Sequence, residues 1–161
     1  MGYTHYFGFR KGANIDSERW NEAMELGKAC AEASGVEIRG YDGTGKPVFT
    51  NTELGFNGTR ENGEYCETFY LERGGEYTHG FCKTRREPYD IVVCCFLLAF
   101  KYIFKKDFEY TSDGTTRGDL RRKENKEYWA KYCPNYVPKV GEGWSAAYKL
   151  FNKVRKACLA A

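Results

Sequence analysis

The chain has 161 residues and a net charge of +3; 42% of its residues are hydrophobic and 17% aromatic. That suffices for one domain with a real core and an appendage. No apolar run reaches bilayer length, and Met1–Phe9 lacks the basic and apolar regions of a secretory leader, which excludes a membrane partner and points to the cytoplasm. The charge is uneven. Residues 115–161 carry 11 Lys/Arg and 4 Asp/Glu, a balance of +7, whereas residues 1–114 carry 14 and 18, a balance of −4. We therefore expect an α+β core over 1–114 and a basic helical extension over 115–161, packed on or beside that core.

In chain order, residues 3–9 alternate ring and small side chains and read as a strand, with Tyr3, His5 and Phe7 on one face. Asp16 reads as an N-cap. Trp20, Ala23, Met24, Gly27, Cys30 and Ala31 then recur at helical spacing until Gly35 stops the helix. Short strands follow at 36–39 and 48–50 around the turn Asp42-Gly43-Thr44-Gly45. Residues 65–71 and 77–82 read as two strands joined at Gly74-Gly75. A helix runs from Pro88 to about Lys105, with proline at the first helical position and Asp90 in the first turn. A last strand covers 108–111, and Ser112-Asp113-Gly114 is turn chemistry. Helices over 119–132 and 145–157 complete the chain, separated by Pro134 and Pro138. This order predicts one mostly antiparallel sheet with two helices packed on it.

The most informative stretch is Lys83-Thr84-Arg85-Arg86-Glu87-Pro88-Tyr89-Asp90. Cations immediately before a helix start add to its unpaired N–H groups and positive dipole end, which together seat a phosphate or carboxylate. The thirteen tyrosines supply rings that stack flat ligands.

Other motifs weigh less. Gly40-Tyr41-Asp42-Gly43-Thr44-Gly45-Lys46 matches the start of a Walker A loop. Pro47 replaces the metal-binding hydroxyl, and a strand follows instead of a helix, so the stretch reads as a hairpin turn. The seven cysteines include no C-x-x-C, and His5 and His79 lie far apart, so no metal site is expected. The thiols read as reduced, several of them packed as small hydrophobes. Glu64, Glu67, Asp90 and Asp113 are carboxylates available for acid/base work. In the tail, Arg121, Arg122, Lys123, Lys126 and Lys131 interleave with Tyr128, Trp129 and Tyr132. Helical spacing makes those rings a buried stripe, so nucleic acid is not the expected partner.

Met1-Gly2-Tyr3-Thr4-His5-Tyr6, Asp42-Gly43-Thr44-Gly45-Lys46-Pro47, Phe56-Asn57-Gly58, Glu67-Thr68-Phe69, Phe81-Cys82-Lys83-Thr84, Pro88-Tyr89-Asp90 and Ser112-Asp113-Gly114 form a series. Over residues 1–114 it resembles a family of small proteins encoded by tailed bacteriophages and prophages. The resemblance implies an accessory protein that counters host defence by enclosing a nucleotide-derived immune signal. On this expectation Lys83 and Arg86 take phosphate oxygens, while Thr84 and N–H groups near Tyr89 add neutral donors. Tyr3, His5 or Tyr89 stack on or bond the base. Asn57 and Asp113, from two of the motifs, complete the candidate ligand contacts. No catalytic set and no cofactor is expected, since holding a ligand needs only complementary contacts. Two alternatives stand beside this reading. One is a phosphodiesterase or nucleotide hydrolase using His5 or a carboxylate from Glu67, Asp90 or Asp113. The other is an inhibitor that masks a host protein with its tail. Self-association stays open.

Overall fold

A computed structural model of the chain describes residues 3–74, 79–113 and 142–160, with Glu127, Ala130 and Lys131. The expected tail helix over 119–132 and its proline separators lie outside the described residues, apart from the three just named, and so do residues 75–78 at the turn expected between the 65–71 and 77–82 strands. The elements run β1 (Thr4–Phe9), α1 (Ser17–Ser34), β2 (Val48–Phe49), β3 (Glu53–Phe56), β4 (Phe69–Glu72), β5 (His79–Lys83), α2 (Asp90–Phe104), β6 (Phe108–Ser112) and α3 (Glu142–Ala160). The fold is α+β. No helix among the described residues is long and apolar enough to cross a membrane.

The strands form two antiparallel sheets of three, in the orders β5-β1-β6 and β2-β3-β4. This corrects the single sheet. The expected β4–β5 hairpin does not form, because β4 pairs with β3 and β5 pairs with β1. The physical reason lies in β1, which buries Tyr3, His5, Phe7 and Phe9 on one face and so must be the middle strand of its sheet. β4 sends Phe69 and Leu71 inward beside Leu54 and Phe56 of β3. The two sheets meet where the Phe7 and Phe69 rings lie 4.9 Å apart. The 36–39 segment is no strand; it holds one bridge, Arg39 to Asn57.

α1 follows its sequence signals. The Asp16 carboxylate accepts from the Arg19 N–H at 2.9 Å, and Gly35 closes the helix at φ +68°. Its apolar stripe packs on α2, and Gly27 lets the Phe96 ring come close. α2 begins at Asp90, two residues later than Pro88, and is buried nearly all round. α3 lies against α2 and α1, burying Trp144, Ala147, Phe151 and Val154 at spacings of three and four. Its apolar stripe is thus spent on the core. The Gly40–Lys46 loop leads into β2, and no helix follows it.

Candidate functional site

The inner face of β1 carries His5 to the start of α2 and the end of β6. Strand register sets this up: His5 pairs with Cys82 on one side and Ser112 on the other, and directly opposed residues point to the same face. His5 is 0% exposed. Its Nε2 lies 2.7 Å from Asp90 Oδ1 and its Nδ1 2.5 Å from Ser112 Oγ. The Thr84 hydroxyl donates to the same Asp90 oxygen. The Trp144 indole N–H donates to Ser112 Oγ at 3.3 Å. The Cys94 thiol, one turn along α2, lies 3.8 Å from Asp90 Oδ2 and 3.9 Å from His5 Nε2. Burial, then the Asp90 charge, hold that thiol protonated.

These partners fix a tautomer. A carboxylate only accepts, so the Nε2 of a neutral His5 carries the proton and its Nδ1 is the acceptor. Ser112 then donates its hydroxyl proton to Nδ1. The chain Ser112–His5–Asp90 is therefore a hydroxyl, imidazole and carboxylate in hydrogen-bond sequence, the order that a nucleophile, base and orienter would take, with Ser112 half-buried. Each group comes from a different element, and His5 stands 85 and 107 residues from its partners. No local motif could have assembled the set. His5, Asp90 and Cys94 also offer three metal-ligand atoms within 4.8 Å of one another. Spacing in sequence hid this donor set. Using it would cost the 2.7 Å His5–Asp90 hydrogen bond and require ionising a thiol held neutral.

Tyr3 sits edge-on to His5, with ring centroids 5.1 Å apart, and Trp144 does the same at 5.6 Å from the other side. The Arg86 guanidinium lies 4.6 Å over the Tyr3 ring and closes this end of the network. Arg85 and Arg86 occupy the left-handed region at φ +51° and +59°. Thr84 to Glu87 form a tight turn in which the Glu87 N–H donates to Thr84 O at 3.0 Å, while the Thr84 N–H donates to Tyr3 O at 2.9 Å. Two successive non-glycine residues at positive φ are strained, and such strain persists only where surrounding contacts impose it.

The expected ligand contacts divide into two groups. His5, Thr84, Tyr3, Tyr89 and Asn57 are buried and engaged internally. The Tyr89 hydroxyl donates to Glu67 O at 2.7 Å. Asn57 Oδ1 accepts from the N–H groups of Gly58 and Cys66, and its Nδ2 donates to Cys66 O. The start of α2 is likewise no open anion seat. The N–H groups of Asp90 and Val92 donate to Glu87 O and Tyr89 O, and the Asp90 carboxylate is buried in the first turn of α2 against His5 and Thr84. The second group points outward. The Asp113 carboxylate accepts from the Thr4 N–H at 3.0 Å and is exposed. Among the described residues, neither the Lys83 ammonium nor the Arg86 guanidinium has a hydrogen bond or a carboxylate partner. Arg85 by contrast bonds Tyr65 O and Glu87, and Arg39 and Arg60 are held by Glu37 and by Asp42 O.

No protein-family model matches the chain, and comparison with curated proteins and with solved structures gives no match.

Proposed function

We propose that the chain binds a phosphate-bearing small molecule at the corner where β5 ends, on the outward-facing Lys83 with Arg86 of the following turn as a second cation, and holds it intact. The observation that carries this reading is the pair of cations without carboxylate partners, one of them on a turn strained at two successive arginines. The Tyr3 contact of Arg86 offsets only part of the turn's strain, whereas an anionic guest uses both charge and fork geometry. The resemblance to small phage and prophage proteins supplies the ligand class: a nucleotide signal of bacterial immunity, withheld in the host cytoplasm. The six described cysteines, all free, suit that compartment.

The test is a thermal-shift panel of nucleoside mono-, di- and triphosphates and cyclic dinucleotides. A ligand present at a hundredfold over its Kd should stabilise the native state by about 2.7 kcal/mol. Lys83→Glu and Arg86→Glu should abolish that shift, with the free protein still folded. If neither substitution moves the affinity of a nucleotide that does bind, the corner is not the seat.

The Ser112–His5–Asp90 relay favours a second reading: a phosphodiesterase or nucleotide hydrolase acting on the same ligand. Ser112 Oγ would be the nucleophile and His5 Nδ1 the acceptor of its proton. Denaturing the loaded protein separates the two readings. Intact ligand supports storage. Cleaved ligand, or a phosphoryl adduct on Ser112, supports turnover.

A further inference from the structure

The rings expected to meet a base, Tyr3, His5 and Tyr89, are all inside the protein. The outer face of the β5-β1-β6 sheet presents others. Along β1 the side chains alternate, so Thr4 and Tyr6 face away from the core that holds Tyr3, His5 and Phe7. Along β5, Phe81 and Lys83 face outward while Cys82 is buried. The register places Tyr6 directly opposite Phe81, and Thr4 directly opposite Lys83. Tyr6 is 46% exposed and Phe81 64% exposed. Among the described residues no ring contact joins them to each other or to a third aromatic side chain.

We propose that Tyr6 and Phe81 form a platform on which the base of a free nucleotide stacks, with its phosphate at Lys83. The proposal rests on the anion-binding reading above and deepens it by assigning the base subsite. Open aromatic rings on antiparallel sheets stack bases through their π faces. The spacing suits one nucleotide. Lys83 lies two residues along the strand from Phe81, a rise of roughly 6.7 Å at 3.3–3.4 Å per residue. A ribose bridges such a span between base and 5′-phosphate. At the far end of the sheet Glu109 is paired with Arg10. Two rings and one free lysine match a nucleotide better than a single strand, which is tracked by a longer cationic groove.

The experiment measures affinity by calorimetry for adenosine and guanosine 5′-monophosphates, cyclic dinucleotides, inorganic pyrophosphate and an eight-nucleotide RNA. Wild type is compared with Tyr6→Ala, Phe81→Ala and Phe81→Leu; these sites are exposed, and the far-ultraviolet spectrum checks the fold. The expected result is tighter binding of nucleotides than of pyrophosphate, with each alanine weakening nucleotides roughly tenfold and leaving pyrophosphate unchanged. Phe81→Leu, which keeps apolar area but removes the ring, should also weaken them. If pyrophosphate binds as well as any nucleotide, or if the ring variants bind nucleotides like wild type, the platform falls while the Lys83–Arg86 seat stands. If none of the anions binds, both readings fall. An RNA bound more than tenfold tighter than any nucleotide overturns the free-nucleotide assignment. A wild-type dimer that Phe81→Ala dissociates, with nucleotide affinity unchanged, makes this face a contact between copies and overturns the platform.

Discussion

A double-mutant cycle on His5 and Asp90 gives the sharpest measure of the buried network. Asp90 is 5% exposed and accepts from the His5 ring at 2.7 Å and from the Thr84 hydroxyl. His5→Leu removes one donor and leaves a buried carboxylate with a hydroxyl and a distant thiol. Breaking a buried pair in this way costs about 3–5 kcal/mol. Asp90→Val leaves the His5 N–H and the Thr84 O–H without acceptors, at about 1–3 kcal/mol each, or roughly 2–6 kcal/mol together. Both losses come from the orphaned partner, so the double variant should cost no more than the worse single one. The coupling should then be about 2 kcal/mol or more, far outside the 0.3–0.5 kcal/mol scatter of independent sites. Urea unfolding followed by tryptophan fluorescence measures all four corners, with Tm losses of roughly 2–4 °C per kcal/mol at this chain length. Additivity of the two substitutions within that scatter would refute the reasoning, since it would mean that His5 and Asp90 do not share an interaction.

Three further outcomes follow from the packing and the titrations. Gly27→Ala would put a Cβ 2.5 Å from the Phe96 ring, so it should destabilise by about 1–3 kcal/mol through forced repacking of α1 on α2, read as a lower urea midpoint at unchanged slope. Burial raises the thiols of Cys82 and Cys94 above their ordinary 9.0 and the phenols of Tyr3 and Tyr89 above their ordinary 10.0. The unfolded chain therefore loses these protons first, and stability should be flat near neutrality and fall as pH rises past about 9; a midpoint unchanged at pH 10 contradicts this. In native protein, mass-spectrometric mapping of thiol labelling should find exposed Cys158 modified well before buried Cys30, Cys82, Cys94 and Cys95, which react only after denaturation.

The parts of the fold legible in sequence are those set by neighbours along the chain. Asp16 and Gly35 bracket α1 because capping and the left-handed stop are local chemistry. The buried face of β1 follows from a period of two. What the sequence hides is pairing over distance. β4 and β5 look like a hairpin by spacing, yet each satisfies its ladder elsewhere, since β1 needs a neighbour on both edges. The site shows the same division. Lys83 and Arg86 stand out as cations by composition alone. The His5–Asp90–Ser112 relay needs two strands and a helix in register, and Trp144 joins it from a segment 32 residues beyond Ser112. Tyr6 and Phe81 were within reach of strand alternation once Cys82 and His5 were placed inside.

The strained turn separates a ligand seat from a structural cap. Arg86 at φ +59° bears the left-handed penalty of about 1–2 kcal/mol, and its stacking on Tyr3 returns about 0.5–1 kcal/mol at an exposed site. Asparagine tolerates that conformation far better and keeps the Cβ that glycine lacks. Arg86→Asn should therefore leave the free protein as stable as wild type or up to about 1.5 kcal/mol more stable, by the difference of those two contributions. If the arginine is kept for an anion, the same variant should lose nucleotide-dependent stabilisation as its own stability holds or rises, the opposition expected where strain serves binding. A drop of more than about 1 kcal/mol in the free protein, larger than an exposed cation–π contact supplies, would mean that the guanidinium is chiefly a lid over Tyr3 and His5. The strain would then belong to the fold, and the claim that Arg86 awaits a phosphate would lose its main physical support.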